Sequence, residues 1–463
     1  MSRLLLLILL AGCAAALSAA SLAIRNATVV DIHTGVLRPH STVVIRNDRI
    51  TAVGPVSKIG VPKGAKVVNG AGKYLIPGLW DMQVHLWDKQ NMFPLYVANG
   101  VTSIRDMGSD YARTSAWRKQ ADAGKIIGPR VFTSGPPSGG PGSPNGKLPV
   151  VQVTSPEQAR RTVTKLYDNG ADFVAVLPHI SYDAYIATAH RARILRIPLA
   201  GPLPESVTIA RAIGARHRSI EKMSGLLLAC SSEQYRLRAQ MANALAKHDS
   251  EDLEKIRQRT CETFSPGIAA EVCRRMALYG VWQVPALTHL RRNAMIDLDQ
   301  PAADPHLKYV PESIRAEWPE PDSALSGTSE ESPAVSRSVF EKNLELFKIM
   351  RRFGVGMLAG SVTGEPYVVP GFALHDELAL LVESGLSPLQ ALQSATTNAA
   401  RFFGYHDVAG AIAKGYVADL ILLDANPLKD IGNTQKISAV VLRGRLFGRK
   451  ELDGMLVRAA AVK

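Results

Sequence analysis

The sequence predicts an α/β chain: a distorted (β/α)8 barrel of the TIM type, with a small β-sandwich assembled from its two ends. Two observations carry this. Eight short apolar runs alternate with helical stretches through the middle of the chain, and β-like segments without long intervening helices stand at both termini. The eight runs are Leu79–His85, Val101–Met107, Arg130–Ser134, Asp172–Leu177, Ile197–Pro202, His217–Glu221, Val281–Leu287 and Val355–Gly360. Such an alternation of strand and helix is how a parallel barrel is written. The terminal segments contribute Ala23–Asp31, Thr42–Val53 with a turn at Asn47-Asp48, and Ala65–Val68, then 418–424 and Ile437–Leu442. This divides the chain into a leader (1–20), a composite β domain (22–75 with 409–450) and a barrel (76–408). An open doubly wound sheet is the competing architecture, and the split β termini count against it.

Helix starts are well marked. Ser155-Pro156-Glu157-Gln158 and Ser387-Pro388-Leu389-Gln390 each place Ser at the cap, Pro in the first turn and Gln three residues on, the pattern of a capping box. Two segments interrupt the rhythm, 134–151, rich in Gly and Pro, and 293–336. Both leave from the C-terminal side of predicted barrel strands, where substrates bind in this architecture, so they read as pocket walls or lids.

At 463 residues, 46% hydrophobic and 21% charged, the composition is that of a globular protein with a large core. Its net charge of +13 is spread out, with no Lys/Arg run longer than a pair and no interleaved aromatic platform, which argues for a solvated basic surface and against nucleic-acid binding. Met1-Ser2-Arg3, the apolar run Leu4–Leu10 and small residues ending at Ala20 read as a secretory leader. The apolar run is far shorter than the ~20 residues of a membrane-crossing helix, so no transmembrane helix is expected. Leu10-Ala11-Gly12-Cys13 also fits a lipobox that would anchor the chain through an acylated Cys13, and ordinary cleavage near Ala20 is preferred. The expected location is the periplasm or cell envelope. Cys230, Cys261 and Cys273 remain, an odd number compatible with one disulfide and a leftover thiol.

The stretch Leu75-Ile76-Pro77-Gly78-Leu79-Trp80-Asp81-Met82-Gln83-Val84-His85 resembles the first-strand signature of the amidohydrolase superfamily, in its imidazolonepropionase-like and dipeptidase-like branch. Other framing words agree: Asn99 to Gly108, Pro370 to Leu378 and Ala395 to Arg401. The resemblance covers almost the whole chain after the leader. It implies hydrolysis of C–N bonds with two divalent cations, typically zinc, held by residues on the barrel strands.

At those ligand positions the donor atoms are mostly missing. The first-strand His-x-His pair reads Gln83 and His85. Ala175 stands where the resemblance implies a bridging carboxylated Lys, and Pro202 where it implies a His. Lys222 follows Ser219-Ile220-Glu221 in place of a His, and Val362 follows Leu358-Ala359-Gly360-Ser361 in place of the Asp that ligates metal and shuttles protons. A methyl, a pyrrolidine ring and an isopropyl group carry no lone pair, and an ammonium has none until it loses its proton. A cofactor-free barrel is therefore expected, with these six positions lining its pocket and no catalytic residue assigned.

A buried ammonium at Lys222 requires a carboxylate, and Asp106, Glu221 and Glu365 are its candidate partners. On that basis Lys222→Met should cost on the order of 3 kcal/mol. His179 and His289 read as surface or pocket-wall imidazoles, and His375 as a packing residue in a helix after the barrel. Two functional readings stand: an exported, metal-free relative that binds a small amide or peptide-like ligand or pairs with an active paralogue, and an active C–N hydrolase with a reassembled or metal-independent site. Homo-oligomerisation is expected by analogy alone.

Overall fold

A computed structural model describes residues 21–140, 143, 149–247, 249–295, 303–318 and 332–462. The leader with Cys13, and parts of the two long loops, lie outside them.

Among the described residues seven parallel barrel strands are present: Leu79–Val84, Val101–Asp106, Arg130–Thr133, Val174–Ala175, Leu199–Gly201, His217–Glu221 and Trp282–Val284. The first two are buried at every residue, as strands covered on both faces must be. Val355–Gly360, expected as an eighth strand, is instead tied in by single bridges: Gln283 pairs with Met357, and Met82 N–H donates to the Ala359 carbonyl at 2.8 Å. Beyond it Thr363 bridges to Val84, which completes the ring from the seventh strand to the first. Between these contacts Val362 adopts φ 60°, a left-handed conformation costly for a β-branched residue.

The ring also closes between the third and fourth strands, where Asp172 N–H donates to the Thr133 carbonyl at 2.9 Å. The Gly/Pro-rich segment contributes to this seam. Ser138–Gly139 pairs with Val151–Gln152, and Ser138 bridges to Val176. Part of the expected lid is thus built into the barrel wall.

The two ends of the chain share one eight-stranded sheet. Its main path runs Arg445–Gly448, Ile437–Leu442, Leu420–Leu423, Tyr74–Pro77, Ser21–Val30, Leu37–Arg46 and Arg49–Pro55, with Lys66–Asn69 beside Ser21–Val30. Alternating apolar residues of these strands, among them Ile24, Val43, Leu75, Leu420 and Val441, form a core separate from that of the barrel. The short strand Tyr74–Pro77 joins the two halves, and its β-propensity is diluted by the terminal Pro. After the sheet, a helix at Arg449–Ala460 packs on the barrel helix Lys89–Ala98, with Asn91 donating to the Ala459 carbonyl at 3.1 Å.

Ser387 makes the reciprocal capping box its sequence promised. Ser155 caps its own helix, but the Gln158 side chain turns back to Thr154 and Gln152, so that box is half formed. Cys230, Cys261 and Cys273 are all buried and no disulfide joins any two of them, contrary to the single expected disulfide. No helix among the described residues is long and apolar enough to cross a membrane.

Candidate functional site

Glu221 and Lys222 are consecutive, yet they take different partners, because the strand ends at Glu221 and the chain turns at Lys222. Glu221 lies inside the barrel, where its carboxylate meets the Arg105 guanidinium at 2.8 Å and the Ser219 hydroxyl at 2.6 Å. Arg105 is fully buried and donates also to Ser219 Oγ at 2.9 Å and to the Met82 carbonyl at 2.5 Å. Phe173 and Phe402 flank its guanidinium, with ring centroids 5.5 and 5.0 Å away. Every polar group of the pair is satisfied, the condition under which a buried ion pair is tolerated.

Lys222 sits just past the strand end, with φ 55° and its backbone N–H on the Val284 carbonyl at 2.9 Å. Its ammonium pairs with Glu365 Oε1. The other carboxylate oxygen accepts from His289 Nδ1 at 2.8 Å and from the Arg292 guanidinium at 3.1 Å. Burial alone would raise the Glu365 pKa, but His289, Lys222 and Arg292 together hold it well below the usual carboxylate range. Of the three candidate partners for Lys222, Glu365 is the one engaged. Asp106 accepts from Ser109 and Thr133 at the end of its own strand, and Glu221 belongs to Arg105.

His289 and Arg292 come from the helix Leu287–Ala294, whose cap residue Ala286 supplies no side-chain oxygen. Glu377, from the helix Phe372–Glu383, does so instead. It accepts from Leu287 N–H at 3.0 Å and from Thr288 N–H and hydroxyl at 2.9 and 2.6 Å. Burial pushes Glu377 up to about 7. His289 is thus part of the charged cluster rather than a passive wall residue, a role its sequence context did not signal. His179 pairs with Glu205 at 3.1 Å.

His85 completes the mouth. Its backbone N–H donates to the Thr363 carbonyl at 2.6 Å, and Gly364 lets the two segments touch, since a Cβ there would fall 2.6 Å from His85 Cβ. Burial, then the charge of Lys222, pushes the imidazole down to about 4. Its Nδ1 and the Oε1 of Gln83 are buried without hydrogen-bond partners among the described residues. Below them Asp81 ties the first strand to the eighth segment through Ser361 N–H at 2.9 Å and Ser361 Oγ at 2.5 Å, and burial pushes it up to about 6. Ala175 packs with Met107, Phe173 and Ala200, Pro202 is half-buried past its strand, and Val362 is fully buried.

These donors do not fit two divalent cations. Among the described residues, no three His, Cys, Asp or Glu side chains converge as a metal site would require. At the mouth the His289 imidazole bonds Glu365, and two cationic side chains already occupy that carboxylate.

Residues 363–447 match the Amidohydrolase family model. A segment of 126 residues is 34% identical to ochratoxinase of Aspergillus niger, covering 26% of this chain and 25% of that protein. A segment of 67 residues is 36% identical to adenine deaminase 3 of Rhizobium meliloti, covering 14% and 11%. The matches therefore span a quarter or less of these relatives' lengths. Similarity in fold is far broader. A bottromycin amidohydrolase matches 96% of this chain and 90% of its own at a TM-score of 0.71 and 20% identity. A Xaa-Pro dipeptidase with methionine bound in its active site matches 93% and 100% at 0.66 and 18%. The chain shares its fold with these amidohydrolases, and the family match runs from just past the eighth barrel segment into the strand Arg445–Gly448.

Proposed function

We propose that this protein is an exported, metal-free member of the amidohydrolase class that binds a small amide or peptide-like ligand at its barrel mouth without hydrolysing it. One observation carries the reading: an ammonium, Lys222, stands at a metal-ligand position with its charge matched by Glu365. A cation that the chain itself supplies takes the electrostatic place of one that must be captured. Loss of donors at Gln83, Ala175, Pro202 and Val362 points the same way. A metal-independent hydrolase is less well supported, because a general base works best with a pKa near the operating pH and both mouth imidazoles are held near 4. The dipeptidase and amide-hydrolase character of the relatives supports an amide ligand; export rests on the leader-like start.

The test is elemental analysis of protein purified with zinc or manganese supplied, paired with dipeptide and N-acyl amino acid hydrolysis assays. Far less than one metal per chain and no turnover are expected. One or two tightly held metals per chain, or turnover, would overturn the reading.

A further inference from the structure

The helices Pro156–Asp168 and Tyr182–Leu195 pack side by side, and an open cleft of about 420 Å³ lies along them, lined by none of the residues of the mouth. Arg160, Arg161, Thr164, Lys165 and Asp168 line it from the first helix and Arg191 from the second. Elsewhere in the chain, exposed helical cations recurrently pair with a carboxylate one turn away: Arg236 with Glu233, Lys255 with Glu251, Arg274 with Glu271 and Arg449 with Asp453. In the cleft only Arg161 does so, with Glu157 at 2.7 Å. Arg160 and Lys165 form no ion pair or side-chain hydrogen bond among the described residues. Arg161 and Lys165 also stand four positions apart, a like-charge spacing that weakens a helix. Four cations against Glu157 and Asp168 leave a surplus of two positive charges. Arg191, half-buried, is fixed in place. Its Nε donates to Thr164 Oγ1 at 2.8 Å, and that hydroxyl donates to the Arg160 carbonyl at 2.8 Å. The two Nη groups of Arg191 make no hydrogen bond to a described residue.

We propose that this cleft binds a phosphomonoester, with its dianionic head on the Nη groups of Arg191 and the side chains of Arg160 and Lys165 closing on it from the neighbouring helix. Charge selects the class. A phosphomonoester carries about −1.5 to −2 at pH 7, which matches the surplus, whereas a carboxylate or a phosphodiester brings a single charge. Geometry agrees: a guanidinium anchored at one nitrogen presents its remaining donors as a preset fork to phosphate oxygens, and Lys165 adds a point charge. Thr164 is a positioning residue, since its hydroxyl is spent on orienting Arg191. The head can belong to a soluble sugar or glycerol phosphate or to a phosphorylated lipid, which share this chemistry. The cleft lies apart from the mouth, so the proposal stands whatever the mouth binds. Diffuse basic charge would also attract anions, but it would not tell a monoester from a diester nor depend on particular cations.

The experiment has two arms on the purified full chain. Calorimetric titration compares glycerol 3-phosphate with the diester dimethyl phosphate. Sedimentation compares phosphatidylcholine vesicles carrying phosphatidic acid, a monoester, with those carrying phosphatidylglycerol, a diester. In at least one arm the monoester should bind saturably, about 10-fold or more tightly than the diester, and more weakly as salt is added. Preference in the first arm assigns a soluble ester, and preference in the vesicles alone assigns a lipid head. Arg191→Gln, and the exposed pair Arg160→Gln with Lys165→Gln, should each lower that affinity about 10-fold. Thr164→Val should weaken binding and Thr164→Ser retain it. Lys255→Gln, which removes a paired cation from another helix, should change nothing. Melting curves establish that each variant is folded. No monoester binding in either arm, equal affinity for monoester and diester in both, or a loss in Lys255→Gln as large as in the cleft variants would overturn the proposal.

Discussion

Two ionic clusters one residue apart in sequence show what burial does to the same chemistry. Inside the barrel, Arg105 and Glu221 are sealed, paired one to one, and satisfied by Ser219 and the Met82 carbonyl. At the mouth, Lys222, Arg292 and His289 share the single carboxylate of Glu365, each remains partly open to solvent, and polar atoms of Gln83 and His85 beside them are unmatched. In the closed cluster every charge is compensated internally, which a water-free site demands. The open one tolerates surplus charge because solvent reaches it, and surplus charge is what a ligand can use. The interior pair is closed to any ligand, whereas the mouth is open to solvent.

Mutations can break this contrast. The largest effect is expected for Arg105→Met, which strands the Glu221 carboxylate inside the barrel and should cost about 3–5 kcal/mol. Denaturant titration measures it, and a loss under about 1 kcal/mol would mean that Glu221 finds water or a proton at little cost.

A pH series on Glu377 sharpens the link between the barrel's supporting groups and its mouth. Its pKa is raised by burial to about 7, above the 4.5 of the unfolded chain, so the native state binds the extra proton. Its contribution is present below about pH 4.5 and is lost as pH rises through 7. Melting curves of wild type and Glu377→Gln should diverge in the variant's favour between pH 5 and pH 8, by at most about 3 kcal/mol. A gap that is constant or moves the other way would show that the helix N–H groups hold Glu377 ionised.

The smallest change is expected for Lys222→Met. The sequence alone led to a figure on the order of 3 kcal/mol for a buried, singly paired ammonium. Glu365 keeps two other donors and Lys222 is 29% exposed, so about 1 kcal/mol is expected instead. A melting temperature depressed as far as that of Arg105→Met would erase the distinction between the clusters.

The amino-acid sequence by itself determined the architecture and which side chains stand at the ligand positions the resemblance implies. Strand and helix periods follow from where apolar residues recur, and whether a side chain has a lone pair follows from its covalent structure, so neither needs coordinates. One signal in the sequence went unread: Arg105, set among the apolar residues of Val101–Met107, is a charge in a strand that had to be buried, and such a charge requires a partner. Tertiary structure alone decided which partners meet. Lys222 reaches Glu365, 143 positions away, and Arg105 reaches Glu221, 116 away. The Glu377 cap on the helix of His289 arises likewise at a contact between distant segments. Pairing energies depend on distances and burial that only the closed barrel fixes, and a linear order of residues carries neither.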